Sequence, residues 1–253
     1  MLLILCGLND PGALWFARRV TDDGLHCTVL PTELLSFARR RSHRLGGHRS
    51  GDPDTVIELM DGAVVDTADV TGVLNRTVAA PADAWRHAPA QERDYAGAEL
   101  HAFSLSWLAG LRCPVRNRPT PQCLAGPVPD PLRCWAAARA AGLDCAPVRL
   151  GTDHPWTSAE AVPTGAGRVS PRPARAVQAV CLDGRVVTPA VPAKVAEAVP
   201  ALCTAVGADH ALIGVDFLVD GDRWRYAGTS PLPDLRAGGD HLYRPLLTAL
   251  GQR

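Results

Sequence analysis

Apolar runs and polar turns alternate at the start of the chain in an order typical of a parallel β-sheet with helices between its strands. Residues 2–7 are almost entirely apolar, which indicates a strand buried on both faces. Residues 13–23 carry apolar side chains at helical spacing, and Gly24 ends that helix. Residues 25–30 predict a second strand. This β-α-β order predicts parallel strands joined by a right-handed crossover.

The pattern continues through residue 125. The predicted elements are a helix at 31–44, a loop at 46–53, a hairpin of strands 55–59 and 63–66, a strand at 72–76, a long helix at 90–111, and a short strand and turn at 113–119. Four histidines in or near predicted loops are expected to face water: His43, His48, His154 and His210. Residues 1–125 are therefore predicted to form one parallel-sheet α/β domain.

The second half changes from alternating helices and parallel strands to hairpins. The predicted elements are a helix at 131–141, strands at 176–182 and 185–188 around Asp183-Gly184, a helix at 193–206, strands at 211–219 and 223–228, and a helix at 240–250. Residues 150–175 are rich in proline and glycine and lack periodicity, which predicts a loop-rich insert. Residues 126–253 are predicted to form a second, α+β portion.

Charge and composition exclude several classes of partner. The formal net charge is zero, so no overall field attracts nucleic acid or a membrane surface. The apolar start, Met1–Cys6, has no basic residues before it and is interpreted as a buried strand rather than a signal peptide. We expect a cytoplasmic protein. Among 26 Lys and Arg residues only Lys194 is a lysine, a bias typical of GC-rich genomes.

The eight cysteines do not predict a metal site. None forms a C-x-x-C pair, and no Cys/His group has zinc-finger spacing. Scattered thiols in apolar surroundings are typical of reduced core residues. No metal ligand set is predicted.

A succession of short motifs in the second half carries a family resemblance. It runs from V-C-L-D-G-R-V-V at 180–187, through the helix A-E-A-V-P-A-L-C-T-A-V-G at 196–207, to I-G-V-D-F at 213–217 and a strand ending in G-T-S-P at 228–231. Upstream, V-L-N-R at 73–76, V-R-N-R-P at 115–119 and the helix that begins at Trp135 fit the same scheme. In this order the chain resembles the ATP-grasp superfamily, in particular its ribosomal-modification-type carboxylate–amine ligases.

The resemblance implies a pre-ATP-grasp-like domain followed by an ATP-grasp-like portion. It also implies lysines on the nucleotide phosphates and Mg²⁺ held by carboxylates and an asparagine, because hard cations prefer oxygen ligands. Asp216 matches one acidic position, but the family's E-x-N falls on Gly228, Thr229 and Ser230. No lysine lies near residues 148–150, and 150–175 is short for the segment that covers ATP. We therefore expect a reduced scaffold without ATP, Mg²⁺ or another cofactor.

Arginines and asparagines at strand ends are the candidate substrate contacts. Guanidinium groups suit carboxylate, phosphate or sulfate, and open parallel sheets bind ligands at the carboxyl ends of their strands. The alternative for each arginine is a solvated surface position. The predicted substrate-binding residues are Arg76, Arg116, Arg118, Arg175, Arg225, Asn75 and Asn117.

Two further positions have alternative interpretations. Asp216 follows an apolar run and is either the catalytic acid/base or half of an Asp–Arg pair joining two strands. The turn Asn9-Asp10-Pro11-Gly12 precedes a predicted helix and either binds an anion or supplies an N-cap.

Three functions follow from the resemblance and its departures. The first is an ATP-independent tailoring enzyme in natural-product biosynthesis that acts on a small anionic amino-acid or peptide-derived substrate, free or bound to a carrier protein, for instance by cyclisation with loss of sulfate or phosphate. The second is a non-catalytic partner subunit of a biosynthetic complex. The third is an ATP-dependent carboxylate–amine ligase in which arginines replace lysines.

Overall fold

The computed structural model describes residues 1–44, 54–127, 130–145, 175–189 and 191–252. The predicted loop at 46–53 and nearly all of the predicted insert at 150–175 lie outside these residues. The chain forms two compact units. Unit 1 comprises Met1–Val128 and Pro231–Arg253, and unit 2 comprises Pro129–Ser230.

The described strands and helices follow the predicted order. The strands are β1 Leu2–Cys6, β2 Cys27–Pro31, β3 Arg40–Arg44, β4 Asp54–Glu58, β5 Val64–Asp66, β6 Gly72–Asn75, β7 Val115–Arg116, β8 Asp144–Cys145, β9 Arg175–Leu182, β10 Arg185–Val186, β11 Leu212–Asp220 and β12 Arg223–Ser230. The α-helices are α1 Pro11–Asp22, α2 Thr32–Ser36, α3 Ala90–Gly110, α4 Pro131–Ala140, α5 Ala193–Ala205 and α6 Gly239–Ala249. In the part of the chain that is described, no helix is both long and apolar enough to span a bilayer.

The main sheet of unit 1 is fully parallel, with strand order β2-β1-β6-β7. All five residues of β1 are buried, as expected for a strand of a parallel sheet covered on both faces, and the strand pairs with β2 on one side and β6 on the other. Leu3, Leu5 and Val73 share a core with Trp107 and Leu108 of α3. The predicted β-α-β start and the α/β class are confirmed.

The predicted helix at 31–44 is wrong in its second half. Only α2 is helical, and β3 follows it and pairs antiparallel with β4 in a three-stranded sheet. The strand was missed because its inward positions are polar. His43 donates to or accepts from Thr55 Oγ1 at 2.7 Å and Ser106 Oγ at 2.8 Å, so the expectation that His43 faces water is also wrong.

The last part of the chain belongs to unit 1. The predicted division at 125/126 assigned it to the second portion, but α6 packs on α1 instead. Tyr243 is fully buried, and its ring lies edge-on to Phe16 at 5.7 Å between centroids. Its hydroxyl donates to Asp23 Oδ2 at 2.7 Å. Apolar burial and this hydrogen bond therefore join residues more than 200 positions apart.

Unit 2 is a five-stranded sheet, with strand order β10-β9-β11-β12-β8, and only β8 joins in parallel. The β9–β10 hairpin turns at Asp183 and Gly184, both with positive φ, as a two-residue turn requires. One face of the sheet forms a core with α4 and α5 that includes Val199, Leu202 and Phe217. The opposite face carries the polar residues of interest.

Candidate functional site

The face of the unit 2 sheet that does not bear the helices carries Asp216. Side chains alternate along a strand, and Val215 and Phe217 are buried in the core while Asp216 is half-buried. Asp216 lies directly opposite Gly228 on β12 and Gln178 on β9. These three positions therefore form one row across the sheet.

Gln178 is the hydrogen-bond partner of Asp216 among the described residues. Its Nε2 donates to Asp216 Oδ1 at 2.8 Å. Gly214, next to Asp216 on the same face of β11, makes this possible. A Cβ at Gly214 would lie only 2.6 Å from Cδ of Gln178, so the amide occupies the space that a larger residue would fill. The Asp–Arg pair considered from sequence is replaced here by an Asp–Gln pair.

Arg225 lies on the same face as Asp216. It pairs with Leu218, two residues beyond Asp216 on β11, and is half-buried. Its Nε is buried and has no hydrogen-bond partner among the described residues, which leaves one donor for a ligand. Arg175, at the start of β9, is exposed.

In unit 1, Arg76 binds an internal carboxylate. Its side chain is only 4% exposed, and its Nε and Nη2 donate to the two oxygens of Asp10 at 2.6 and 3.2 Å. Asp10 also accepts from the backbone N–H of Ala13 at 2.9 Å, which makes it the N-cap of α1. The N-cap interpretation of this turn is therefore confirmed. Within the part of the chain that the structure describes, the Nη1 of Arg76 is buried and unpaired, so Arg76 retains one donor beyond its ion pair.

Ionisable groups beside this pair are shifted in ways that follow from their surroundings. Burial, reinforced by the charge of Asp10, raises the pKa of the Cys6 thiol to about 11, so it remains protonated at neutral pH. The Arg236 guanidinium, at 2.7 Å, lowers the pKa of Asp234. Neither arrangement resembles an activated nucleophile or a base with a raised pKa.

The two predicted asparagines bind backbone groups at the carboxyl ends of β6 and β7. Asn75 is fully buried, and its Nδ2 donates to the carbonyls of Asn117, at 2.8 Å, and Leu124. Asn117 has a positive φ of 62° and donates from Nδ2 to the carbonyl of Pro231 at 3.0 Å. These contacts hold together the loops at this edge of the sheet.

Arg118 is at the end of α3 rather than in a cleft. Its guanidinium donates to the carbonyls of Ala109, Leu111 and Cys113 at 3.3–3.5 Å. A cation there complements the helix dipole and satisfies terminal carbonyls. Arg116, on β7, is half-buried and has interactions of its own. Of the predicted residues, the fold thus places Asp216 and Arg225 on one face of unit 2 and the Asn75, Arg76, Asn117 group at one edge of unit 1.

Comparison with solved structures decides the fold. Two solved structures each match over 98% of this chain and 97% of their own. The macrocyclase MdnC from Microcystis aeruginosa, bound with precursor peptide MdnA, matches with a TM-score of 0.64 and 12% identity. The ATP-grasp ligase PsnB, complexed with a minimal precursor, matches with a TM-score of 0.60 and 14% identity. The chain has an ATP-grasp-like fold. A RiPP-associated ATP-grasp ligase from Chryseobacterium gregarium, in complex with ADP and a leader and core peptide, also matches at TM-score 0.54 and 9% identity, over 97% of this chain and 91% of that one. No family model matches the chain, and no curated protein sequence does.

An ATP-grasp-like fold implies Mg²⁺-ATP, and the described residues do not fit the metal. Asp216 is the one carboxylate in its row, and one of its oxygens already accepts from Gln178. A Cβ at Gly228 would lie 3.8 Å from Asp216 Oδ2, so position 228 faces the carboxylate but supplies no ligand. Within the described ranges, no three His, Cys, Asp or Glu side chains cluster as metal ligands do.

Among the described residues, the lysine side chain also lies away from Asp216. Lys194 is exposed near the start of α5, on the helical side of the unit 2 sheet. The segment at 148–150, where the resemblance places a lysine, lies outside the described residues, as do 150–174 of the predicted insert.

Gln178 is the residue that sequence reasoning missed. Its strand was predicted at 176–182, but only the antiparallel register of β9 against β11 places position 178 opposite Asp216. Alternation within the strand could have placed Gln178 on the polar face, but it could not have identified its partner.

Proposed function

We propose that this protein is an ATP-independent tailoring enzyme that works on an anionic, peptide-derived substrate. The observation that carries the proposal is the row Gln178–Asp216–Gly228, in which the ATP-grasp-like fold retains one carboxylate where a metal requires several oxygen ligands. The substrate would lie on the polar face of unit 2.

Asp216 and Arg225 are assigned complementary roles in this proposal. The substrate carries an amine and a sulfate or phosphate ester. The amine nitrogen forms a bond to the ester-bearing carbon, the C–O bond breaks, and the leaving sulfate or phosphate departs with the electron pair. Asp216 Oδ2 takes the amine proton while Oδ1 stays bound to Gln178. The unpaired Nε of Arg225 would bind the leaving anion.

The choice of a peptide-derived substrate rests on structural similarity. MdnC, PsnB and the C. gregarium ligase were each solved with a precursor or leader and core peptide. Natural-product peptide tailoring is therefore the context in which the fold is known to operate among these neighbours. A carrier protein that presents the substrate remains part of the proposal.

The loss of nucleotide use is tested by calorimetry with Mg²⁺-ATP. We expect no saturable heat with the full chain. Micromolar binding would overturn the proposal and favour an ATP-dependent carboxylate–amine ligase with arginines replacing lysines.

The activity is tested by expressing the neighbouring biosynthetic genes with and without this chain and determining the masses of the products by mass spectrometry. We expect one product to lose the mass of sulfuric or phosphoric acid, which is the leaving anion together with the amine proton, only when the chain is present. Asp216→Asn and Arg225→Gln should abolish that change. Arg223→Gln, on the same strand but paired with Asp144 at 2.7 Å, is the matched control and should not. Unchanged turnover in Asp216→Asn and in Arg225→Gln would contradict the assigned roles.

One observation favours a non-catalytic partner subunit as the second candidate. Oδ1 of Asp216 already accepts a hydrogen bond from Gln178, so this half of the carboxylate has a partner without a substrate. In that case the chain would co-purify with the product of a neighbouring gene, and Asp216→Asn would leave the activity of the pair unchanged.

A further inference from the structure

A small recess in unit 1 lies apart from the residues discussed above. It is formed by α2, β3, α3 and the segment after β6, and it is shallow, with a cavity volume of about 10 Å³ below an open mouth. Leu35, Pro81, Leu100 and Phe103 form apolar walls. A recess this small admits a group of about the size of a carboxylate rather than a cofactor.

Arg41 brings a positive charge into this recess. It lies on β3 two residues before His43, so both side chains face the same side of the strand, toward α3, which His43 contacts at Ser106. One guanidinium N–H donates to the carbonyl of Leu35, which leaves most of its five donors for other partners.

No described carboxylate compensates the charge of Arg41. Its neighbour Arg39 pairs with Glu58, whereas no ion pair involves Arg41 in the ranges that the structure describes. Burial lowers the pKa of Arg41, and no nearby acid raises it. A partly desolvated cation of this kind gains from an anion that the fold itself does not supply.

Thr77 adds a second unpaired group to the same recess. Thr77 is only 5% exposed, and its Oγ1 is buried with no hydrogen-bond partner in the described ranges. Ser36, which also lines the recess, differs because its Oγ accepts from the backbone N–H of Ala84 at 3.0 Å. Buried hydroxyls in folded proteins nearly always have a partner, so the partner of Thr77 is expected to come from a ligand.

We propose that this recess binds a carboxylate carried on a short apolar stem, with Arg41 pairing to the carboxylate and Thr77 donating to it. Leu35, Leu100 and Phe103 would contact the stem. The same chemistry is supplied by a glutamate side chain of a peptide and by a free short-chain carboxylate. The recess is independent of Asp216 and of the proposed reaction, because all its residues belong to unit 1.

The experiment is a ¹H–¹⁵N NMR titration of the full chain with two matched pairs of probes. Butyrate is compared with butyramide, and the blocked tripeptide acetyl-Ala-Glu-Ala-amide with its Gln counterpart. We expect saturable shifts around Thr77 and Ser104 with the acids, at about millimolar affinity for ligands this small, and none with the amides. Tighter binding of the tripeptide identifies a peptide side chain as the ligand, and tighter binding of butyrate identifies a free carboxylate.

Variants assign the contacts. Arg41→Gln should weaken acid binding about tenfold or more, and Thr77→Val about threefold, as expected for charged and neutral hydrogen bonds. Arg40→Gln is the control, since Arg40 is exposed and points to the other side of β3. Binding that is equal for acids and amides, unchanged in both Arg41→Gln and Thr77→Val, or absent at 100-fold above the expected concentration (about 100 mM) overturns the proposal. If Arg41→Gln fails to fold, Thr77→Val and the amide probes still decide it.

Discussion

The side-chain amide of Gln178 donates to Oδ1 of Asp216 across two antiparallel strands, at 2.8 Å. The space for this contact comes from Gly214, whose missing Cβ would collide with the end of the glutamine side chain. The glycine, the amide and the carboxylate therefore act as one arrangement, and each can be tested through the others.

Gly214→Ala should displace Gln178 from Asp216. Because the colliding atoms are the far end of a flexible side chain, the cost should be modest: about 1 kcal/mol in the free energy of unfolding, the value of the lost hydrogen bond. Urea denaturation measures it. In a Gln178→Ala background the same substitution should cost nothing or stabilise slightly, since alanine is less costly than glycine within a strand. Equal losses of unfolding free energy in both backgrounds would show that Gly214 does not act through the Gln178–Asp216 contact.

Gly228→Glu should create a metal site beside Asp216. Position 228 lies opposite Asp216, and its Cβ would be 3.8 Å from Oδ2. Without metal, two carboxylates in opposite positions should lower the stability by up to about 1 kcal/mol. With Mn²⁺ the melting temperature should recover, and calorimetry should show at least about tenfold tighter Mn²⁺ binding than in the original protein. Gly228→Gln is the control, and a Glu variant that binds no better than it would show that the two positions do not converge.

Arg76→Gln should destabilise unit 1 strongly. Asp10 and Arg76 are 13% and 4% exposed at their side chains, so removal of one partner leaves a buried charge, at a cost of about 3–5 kcal/mol. Arg223→Gln breaks the pair with Asp144, which is exposed at both ends and screened by solvent, and should leave the free energy of unfolding nearly unchanged. Urea denaturation of both variants gives the comparison, and similar costs would contradict the burial of the first pair.

Tyr243 should make stability fall at high pH. Burial, together with the hydrogen bond to Asp23, raises the pKa of Tyr243 to about 12, against the opposing charges of Arg19 and Arg244. Between the ordinary value of 10 and about 12, the unfolded chain releases this proton while the folded chain keeps it, so the free energy of unfolding falls as pH rises. Tyr243→Phe should remove this part of the pH dependence and the tyrosinate absorbance change that accompanies it. An unchanged slope in Tyr243→Phe would place the titrating group elsewhere.

Gly72→Ala should be among the most damaging small substitutions. A Cβ at Gly72 would lie 2.3 Å from the backbone carbonyl oxygen of Leu250, which cannot move as a side chain can. We expect a loss of about 1–3 kcal/mol or more by thermal or urea unfolding. Gly97→Ala, inside α3 with its nearest atom at 3.9 Å, is the matched control and should instead stabilise by about 0.8–1 kcal/mol. A neutral Gly72→Ala would mean that residues 250–252 do not pack on β6.

The sequence was informative wherever burial follows a regular period. β1 is buried at every position and α3 ends within one residue of its prediction, because apolar side chains specify both. β3 was missed because its inward residues, Arg41 and His43, are polar and acquire partners only from other elements. Hydrophobic period carries no information about such a strand.

The contacts of the candidate site residues could not be predicted from the sequence. Asp216 could be placed by its motif, whereas Gln178 required the register between two strands. Asn75 and Asn117 looked like ligand contacts at strand ends, but the carbonyls that they bind are distant in sequence, as the 42 positions between Asn75 and Asn117 illustrate. Such pairings depend on tertiary structure alone.

The discontinuity of unit 1 has a consequence for synthesis. Unit 2 is one continuous stretch, so its described strands and helices emerge from the ribosome before Pro231 does. Unit 1 lacks α6, and with it Tyr243 and the apolar residues of that helix, until the residues after 230 have been made. During translation, the face of α1 that awaits α6 is therefore exposed longest, and it is where a chaperone would be needed most.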